Sequence, residues 1–444
     1  MHIVLLSGGA GKRLWPLSNG VRTKAFLKLL PAPGGGKESM LQRVIRQLER
    51  SGQLASSLIV THHSQLDITF SQIGERIPVV SEPSRRGTFN AIALASSYLR
   101  ERMRVAEDGI ICVMPVDLFA EDDFYAVIKQ LPAVLAQSQA KLALIGADPS
   151  HPSDQYGYIV PQPGGHTAYR VVERFAEKPD EREARRLIAQ RALWNCGIFT
   201  FRLGFMLAAL EQRKLPASYG EWLALFDTQP DASFDREVVE RSTNAVVVPY
   251  GGPWHDLGSW ETLTQQLADR VTGPGSLSDD TTDTHIVNEL PVPVHVIGGQ
   301  GLVVAASPDG ILVTRKGSSS EIKKAVPDAA SGQAGRYDEK QWGTRTVYDS
   351  KRETGQPVSR TSKVAMLPGM GTACHEHAGT KEIVVVLAGR GEIEIDGARR
   401  PVEAGETVEI QPGLKHRVTA VTALEYIEVH VDVRPEELSS LYEM

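Results

Sequence analysis

Up to about residue 265 the chain alternates short runs of β-branched and apolar residues with longer stretches whose apolar positions recur every three or four residues. Continuous apolar runs are strands buried on both faces, and amphipathic segments between them supply crossovers. The pattern therefore predicts an α/β domain with a parallel sheet. The predicted strands are His2 to Leu6, Ser57 to Thr61, Ile77 to Val80, Ile110 to Met114 and Lys141 to Ile145. The clearest helices are Met40 to Ser51 and Phe89 to Arg104. At Val271-Thr272-Gly273-Pro274-Gly275-Ser276 the composition becomes that of a linker, followed by Asp279, Asp280 and Asp283. Beyond it come short alternating strands separated by single turns, Pro293 to Ile297, Gly301 to Ala305 and Gly310 to Thr314, too few to close a core. A soft stretch at Ala329 to Gly335 precedes an all-β region with turns at Pro368-Gly369, Ala388-Gly389, Asp396-Gly397 and Pro412-Gly413, the spacing of a small barrel or sandwich. The expected organisation is an α/β domain over 1–268, a linker and small β spacer over 269–330, and a β domain over 335–435.

Composition narrows the function classes. The chain of 444 residues is long enough for about three domains. Its net charge of −6 comes without a basic stripe, which argues against a nucleic-acid partner. Cys112, Cys196 and Cys374 are too few and too far apart for a disulfide framework, so a reducing compartment, the cytoplasm, is expected. No window approaches a membrane-spanning length of apolar residues, and Met1 leads straight into a strand, so no membrane association is expected.

Strand one runs into Ser7-Gly8-Gly9-Ala10-Gly11-Lys12-Arg13-Leu14-Trp15-Pro16-Leu17-Ser18. Glycines let the backbone approach a phosphate or a base, while Lys12, Arg13 and the later Lys24 supply positive charge, so a nucleoside triphosphate is the natural guest. The spacing fits neither the GxGxxG dinucleotide fingerprint nor the P-loop.

This loop resembles the signature of sugar-1-phosphate nucleotidyltransferases, and its Trp-Pro-Leu-Ser ending is similar to that of mannose-1-phosphate guanylyltransferases. Further segments agree in the family's order: Glu82-Pro83 with Arg86 and Thr88, Pro115-Val116-Asp117, Tyr156-Gly157-Tyr158-Ile159, Phe175-Ala176-Glu177-Lys178-Pro179, Trp194-Asn195-Cys196-Gly197-Ile198-Phe199, and Trp254-His255-Asp256-Leu257-Gly258-Ser259-Trp260. Departures fall on the nucleotide side. The family's Pro-Lys-Gln-Phe-Leu is here Thr23-Lys24-Ala25-Phe26-Leu27, and its Pro-Ala-Asp-His is Pro115-Val116-Asp117-Leu118.

The resemblance implies a Rossmann-like fold and attack of a sugar-1-phosphate oxygen on the α-phosphorus of a nucleoside triphosphate, with GTP and mannose-1-phosphate as substrates. Two anions must meet, so positioning and charge neutralisation supply the catalysis. Mg²⁺ prefers oxygen ligands and needs only one or two carboxylates when phosphates supply the rest, and Asp117 and Asp256 are the expected pair. Arg13, Lys24 and Lys178 complete the expected catalytic set. Ser7, Gly8, Gly9, Gly11, Lys12, Arg13, Glu82, Arg86 and Thr88 are expected at the nucleotide, with Glu82 accepting from guanine N1–H and the 2-amino group. By resemblance Lys178 grips the sugar phosphate and Glu177 its hydroxyls, with Gly157 and Asn195 beside them. The alternatives are another hexose phosphate or nucleotide, a bifunctional isomerase and transferase, and a non-catalytic sugar-nucleotide sensor. A homo-oligomer, in the first instance a dimer, is expected.

In the last region, Gly369-x5-His375-x-His377-x4-Glu382-x6-Gly389 and Gly405-x5-Gln411-x-Gly413-x2-His416 have the spacing of the cupin barrel. His375 and His377 fall on one face of a strand, where Glu382 and His416 can join them around Zn²⁺, Fe²⁺, Mn²⁺ or Ni²⁺. The family's isomerase domain usually carries Arg-x-Glu-His-Trp, for which this chain has Thr380-Lys381-Glu382-Ile383-Val384. A metal-binding barrel without appreciable phosphomannose isomerase activity is therefore expected.

Overall fold

The structure is a computed structural model that describes residues 1–9, 12–164, 168–326, 335–353 and 356–433. Gly11 and most of the soft stretch from Ala329 lie outside the described residues, as does the side chain of Lys12. The chain divides into two compact units, the first being Met1–Ala10, Lys24–Leu66 and Glu75–Leu267.

The first unit is built on nine strands: β1 (His2–Leu6), β2 (Ser57–His62), β3 (Val79–Glu82), β4 (Ile110–Pro115), β5 (Leu142–Ala147), β6 (Tyr158–Pro161), β7 (Arg170–Ala176), β8 (Leu193–Arg202) and β9 (Ala245–Tyr250). Their order in the sheet is β3-β2-β1-β4-β8-β5-β9-β7-β6. Each apolar run predicted as a strand is one, and Met40–Arg50 is a helix closed by a capping box between Ser39 and Gln42. The sheet is nevertheless mixed rather than parallel. β1 pairs in parallel with β2 and β4, but β8 lies antiparallel between β4 and β5. An apolar run specifies a buried strand without specifying its direction. The antiparallel placement brings the start of β8, Leu193 to Gly197, to the same end of the sheet as the C-termini of β1, β3 and β4. That end is where open α/β sheets bind ligands.

The second unit comprises Gly11–Thr23, Asp67–Gly74 and Ala268–Met444. Here the structure corrects two expectations. The presumed linker forms strands, Val271–Thr272 and Gly275–Leu277, and the spacer closes a small mixed sheet: Val271–Thr272 pairs in parallel with His285–Asn288, which pairs in parallel with Leu302–Ser307, and that strand turns back antiparallel into Gly310–Arg315. The glycines that suggested a linker are sites of close backbone approach. A Cβ on Gly273 would collide with the Asn288 carbonyl oxygen, and one on Gly275 with that of Val294. Ile286, Val287, Val303 and Ala305 give the sheet its own core.

The end of the glycine loop is built into this spacer. Trp15 lies against Gly310, where an added Cβ would come within 2.6 Å of its ring, and Ser307 Oγ donates to the Pro16 carbonyl at 2.7 Å. Asn19 donates to Asp309 at 2.9 Å. Arg22 places both terminal nitrogens on the Glu289 carboxylate at 2.8 Å and stacks over Tyr337. Removing one partner of such a pair strands the other charge in a nearly dry site. Glu289→Leu should therefore lower stability by about 2 kcal/mol, less than the roughly 3–5 kcal/mol of a fully buried pair because Glu289 is part-exposed. Thermal unfolding measures it, and an unchanged melting temperature would remove the pair from the loop's anchorage.

The last part of this unit is a barrel. Six strands, Tyr337–Lys340, Gly343–Glu353, Gln356–Met366, Leu424–Asp432, Thr380–Ala388 and Thr407–Ile410, face three others around a core of Val364, Val384, Ile393, Val418 and Tyr426. Among the described residues, no helix is long and apolar enough to cross a membrane.

Candidate active site

One pocket of the first unit collects residues from five of the sequence motifs. It is lined by Pro115, Asp117, Gln155, Tyr156, Gly157, Glu177, Lys178, Asn195, Gly197, Asp235, Trp254 and Asp256, among others. Asp117 follows the C-terminal end of β4. Just after it, Leu118–Ala120 pairs antiparallel with Trp254–Asp256, setting Asp256 opposite Leu118 and so beside Asp117.

The ammonium of Lys24 stands between the two carboxylates, 2.8 Å from Asp117 Oδ2 and 2.6 Å from Asp256 Oδ1. Burial alone would lower the pKa of this lysine. The two carboxylates more than offset that and hold it above the ordinary lysine range. A cation is thus already at the focus of both aspartates, and their oxygens fit a hard divalent cation such as Mg²⁺.

The wall expected to face the sugar is shaped by a glycine. A Cβ on Gly157 would lie 2.8 Å from Glu177 Oε2 and 2.8 Å from Phe175 Cζ. The Gly157 carbonyl accepts from Asn195 N at 2.8 Å, and Asn195 Oδ1 accepts from Gly197 N at 3.1 Å, which fixes the orientation of the amide. Its Nδ2 then donates to Asp235 Oδ1 at 2.8 Å. Glu177 is nearly buried and pairs with the exposed ammonium of Lys178 at 2.8 Å. Asp235 was not singled out in the sequence, because it belongs to no motif and its sole local signal is an acid beside the buried Phe234. Burial, with Glu177 nearby, pushes its pKa up to about 6. Tyr156, Trp194 and Trp254 form an aromatic wall, with centroids 4.7 Å (Tyr156–Trp194) and 5.5 Å (Tyr156–Trp254) apart.

The residues expected at the nucleotide divide. Glu82 ends β3 with its carboxylate against the loop that follows β1, and a Cβ on Gly8 would lie 3.0 Å from Glu82 Oε2. Burial pushes this carboxyl up to about 7, with Arg85 drawing it partly back. Ser7 is buried with its hydroxyl unpaired, and Gly9 has open space beside it. Arg86 and Thr88, in contrast, hold the segment before Asp235. Arg86 donates to the Asp227 carbonyl, and Thr88 Oγ1 accepts from Phe234 N at 2.9 Å. Arg13 lies in the short turn Lys12–Leu14 of the second unit.

The sequence matches the family model described as "Nucleotidyl transferase" over residues 2–271, well over half of the chain. This chain belongs to the nucleotidyl transferase family. A model described as "Cupin domain" matches residues 362–430. This nucleotidyltransferase is 27% identical to a mannose-1-phosphate guanylyltransferase of Sinorhizobium fredii, over 93% of this chain and 85% of the relative. It is 29% identical to the xanthan biosynthesis protein XanB of Xanthomonas campestris, over 96% of this chain and 94% of the relative. A solved structure from Thermus thermophilus, described as a "mannose-1-phosphate geranyltransferase", superposes with a TM-score of 0.62 at 27% identity, covering 73% of this chain and 97% of that one.

In the barrel of this nucleotidyltransferase, His375, His377, Glu382 and His416 offer ligand atoms that all lie within 4.8 Å of one another. His377 Nε2, Glu382 Oε2 and His416 Nε2 are buried without hydrogen-bond partners, as a metal would require of its ligands. The set fits a divalent transition metal.

Proposed function

We propose that the chain transfers a guanylyl group from GTP to mannose-1-phosphate, giving GDP-mannose and pyrophosphate. The observation that carries this reading is the single pocket in which Asp117 and Asp256, with Lys24 between them, share walls with the Gly157–Glu177–Lys178–Asn195 group. The names of the relatives support the choice of nucleotide and sugar. In this reading residues 1–268 carry the transfer chemistry, 269–330 the spacer and 335–435 the barrel.

Mg²⁺, when bound by Asp117 and Asp256, neutralises triphosphate charge. The chain's own residues do the rest. Lys24 adds a fixed ammonium at the same focus, the glycine loop offers backbone N–H groups, and Lys178 draws the sugar phosphate toward the reacting centre. Glu177, Asn195 and the Asp235 behind it hold sugar hydroxyls. The reaction fits the cytoplasm, where the buried thiols of Cys112 and Cys196 stay reduced, and the enzyme is proposed to work as a dimer. Pyrophosphate release measured across a panel of nucleoside triphosphates and hexose-1-phosphates tests the assignment. The fastest turnover is expected with GTP and mannose-1-phosphate, and no turnover with any pair would leave a sugar-nucleotide sensor.

Glu82 gives this reading a pH signature. Guanine presents two donors and favours the carboxylate, whereas burial favours the neutral acid, so GTP binding should release a proton. Apparent GTP affinity is therefore expected to rise with pH through about 7 and level off above it. Glu82→Gln, which keeps one acceptor oxygen, should flatten that dependence and erode the preference for GTP over ATP. Unchanged discrimination and an unchanged pH profile would move base recognition to the loop backbone.

A further inference from the structure

The barrel interior is more polar than a metal site requires. Along Leu424–Asp432 the inward positions are Leu424, Tyr426, Glu428 and His430, and along Gln356–Met366 they include Arg360, Ser362, Val364 and Met366. The register sets His430 opposite Arg360 on one side and opposite Glu382 on the other. One half of the barrel is therefore apolar, and the other carries Glu382, His430, Arg360, Ser362 and Glu428 around the metal ligands.

Hydrogen bonds fix the tautomers of three of the barrel imidazoles, His375, His416 and His430. His375 Nδ1 lies 2.8 Å from the Ala373 carbonyl oxygen, and His416 Nδ1 lies 3.0 Å from that of Leu414. A carbonyl only accepts, so Nδ1 carries the proton and Nε2 keeps the lone pair that a metal needs. His430 is the reverse. Its Nδ1 faces Arg360 Nη2 at 2.9 Å, and a guanidinium only donates. The neutral ring must then carry its proton on Nε2, which is buried, has no hydrogen-bond partner and lies 3.4 Å from Glu382 Oε2.

His430 thus directs an N–H, not a lone pair, at the metal cluster. The groups around it share that character. Arg360 Nε is a buried donor without a partner, and the Ser362 hydroxyl, fully buried, is likewise unpaired. Arg360 and Arg345 bring two positive charges against Glu382, Glu428 and Asp338, with Arg345 donating to Asp338 at 2.8 Å. Two positive and three negative groups leave one net negative charge, which a divalent metal turns into one net positive charge. We propose that the barrel binds an oxyanion beside its metal, with His430 Nε2–H as the donor to that anion and Arg360 as the positioning residue that holds His430 in the donating tautomer.

The test uses the full chain with Co²⁺ in the barrel and inorganic phosphate as the probe, read by the visible absorption of the cobalt centre. In the unaltered protein the spectrum should change saturably with phosphate. His430→Phe and Arg360→Met should retain the cobalt stoichiometry of the unaltered protein yet need at least about 10-fold more phosphate, the scale of losing one hydrogen bond to a charged group. His430→Gln, whose amide still offers N–H, should recover part of that affinity, while His416→Ala should lose the cobalt. Circular dichroism identifies any variant that fails to fold, and the remaining variants decide. The proposal is overturned if His430→Phe loses cobalt as His416→Ala does, which would make His430 a ligand. An unaltered protein with no phosphate response, or folded variants with the same phosphate affinity as the unaltered protein, would overturn it equally.

Discussion

Asp117→Asn and Asp256→Asn should each lower Mg²⁺-dependent pyrophosphate release by about 10²-fold or more, the scale of removing a preorganised electrostatic group from a reacting centre. The asparagine keeps the shape and one acceptor oxygen, so the loss reports charge. In the unaltered protein the two carboxylates converge on the Lys24 ammonium at 2.8 and 2.6 Å, and each substitution halves the negative charge at the point where a divalent cation would be held. Raising the Mg²⁺ concentration should recover part of the rate in the single variants, because the surviving carboxylate still binds the cation weakly. Lys24→Met should also be slow, but for a different reason. It leaves two carboxylates facing each other without a counter-charge, so its rate should not be recovered by saturating GTP alone. Near-normal rates in both aspartate variants would place the metal elsewhere.

The second large effect is expected on the sugar side. Gly157→Ala puts a methyl group 2.8 Å from both Glu177 Oε2 and Phe175 Cζ, closer than carbon contacts allow, in a pocket whose other wall is Asn195. Glu177 is nearly buried and Phe175 belongs to the core, so neither can retreat without disturbing the Lys178 pairing or the packing behind it. The KM for mannose-1-phosphate should rise about 10-fold or more while the KM for GTP changes little. Lys178→Ala should show the same selectivity through lost charge instead of lost space. Saturation kinetics with each substrate varied in turn separate the two. A selective rise in the GTP KM for either variant would mean that this wall serves the nucleotide.

Much of the chemistry was legible in the sequence because it sits where strands end. Ser7-Gly8-Gly9, Glu82 and Asp117 each follow or close an apolar run, and an apolar run followed by glycine, proline or a lone charge marks a strand leaving the core for a site. The barrel ligands were legible from their spacing, but the expected strand is absent. His375 makes only an isolated bridge to His416 and His377 lies outside any strand, so backbone bonds to the His416 and Gly413 segment, and not a shared strand face, bring the two imidazoles to the cluster. Other features had no local signature. The presumed linker at Val271 to Ser276 is made of the residue types that loops use, and only the neighbouring backbone of Asn288 and Val294 shows that its glycines serve close strand packing. Asp235 enters the site through a bond to Asn195, 40 residues away. Lys24 and Asp256, 232 residues apart, meet because the Trp254–Asp256 ribbon folds back on Leu118–Ala120. The tautomer of His430 depends on Arg360, 70 residues distant. Which faces are apolar and which residues could do chemistry followed from the amino acids alone, since both are properties of a residue and its near neighbours. Strand direction, charge partners and proton positions needed the folded chain, because these depend on which distant backbone is brought within hydrogen-bonding distance.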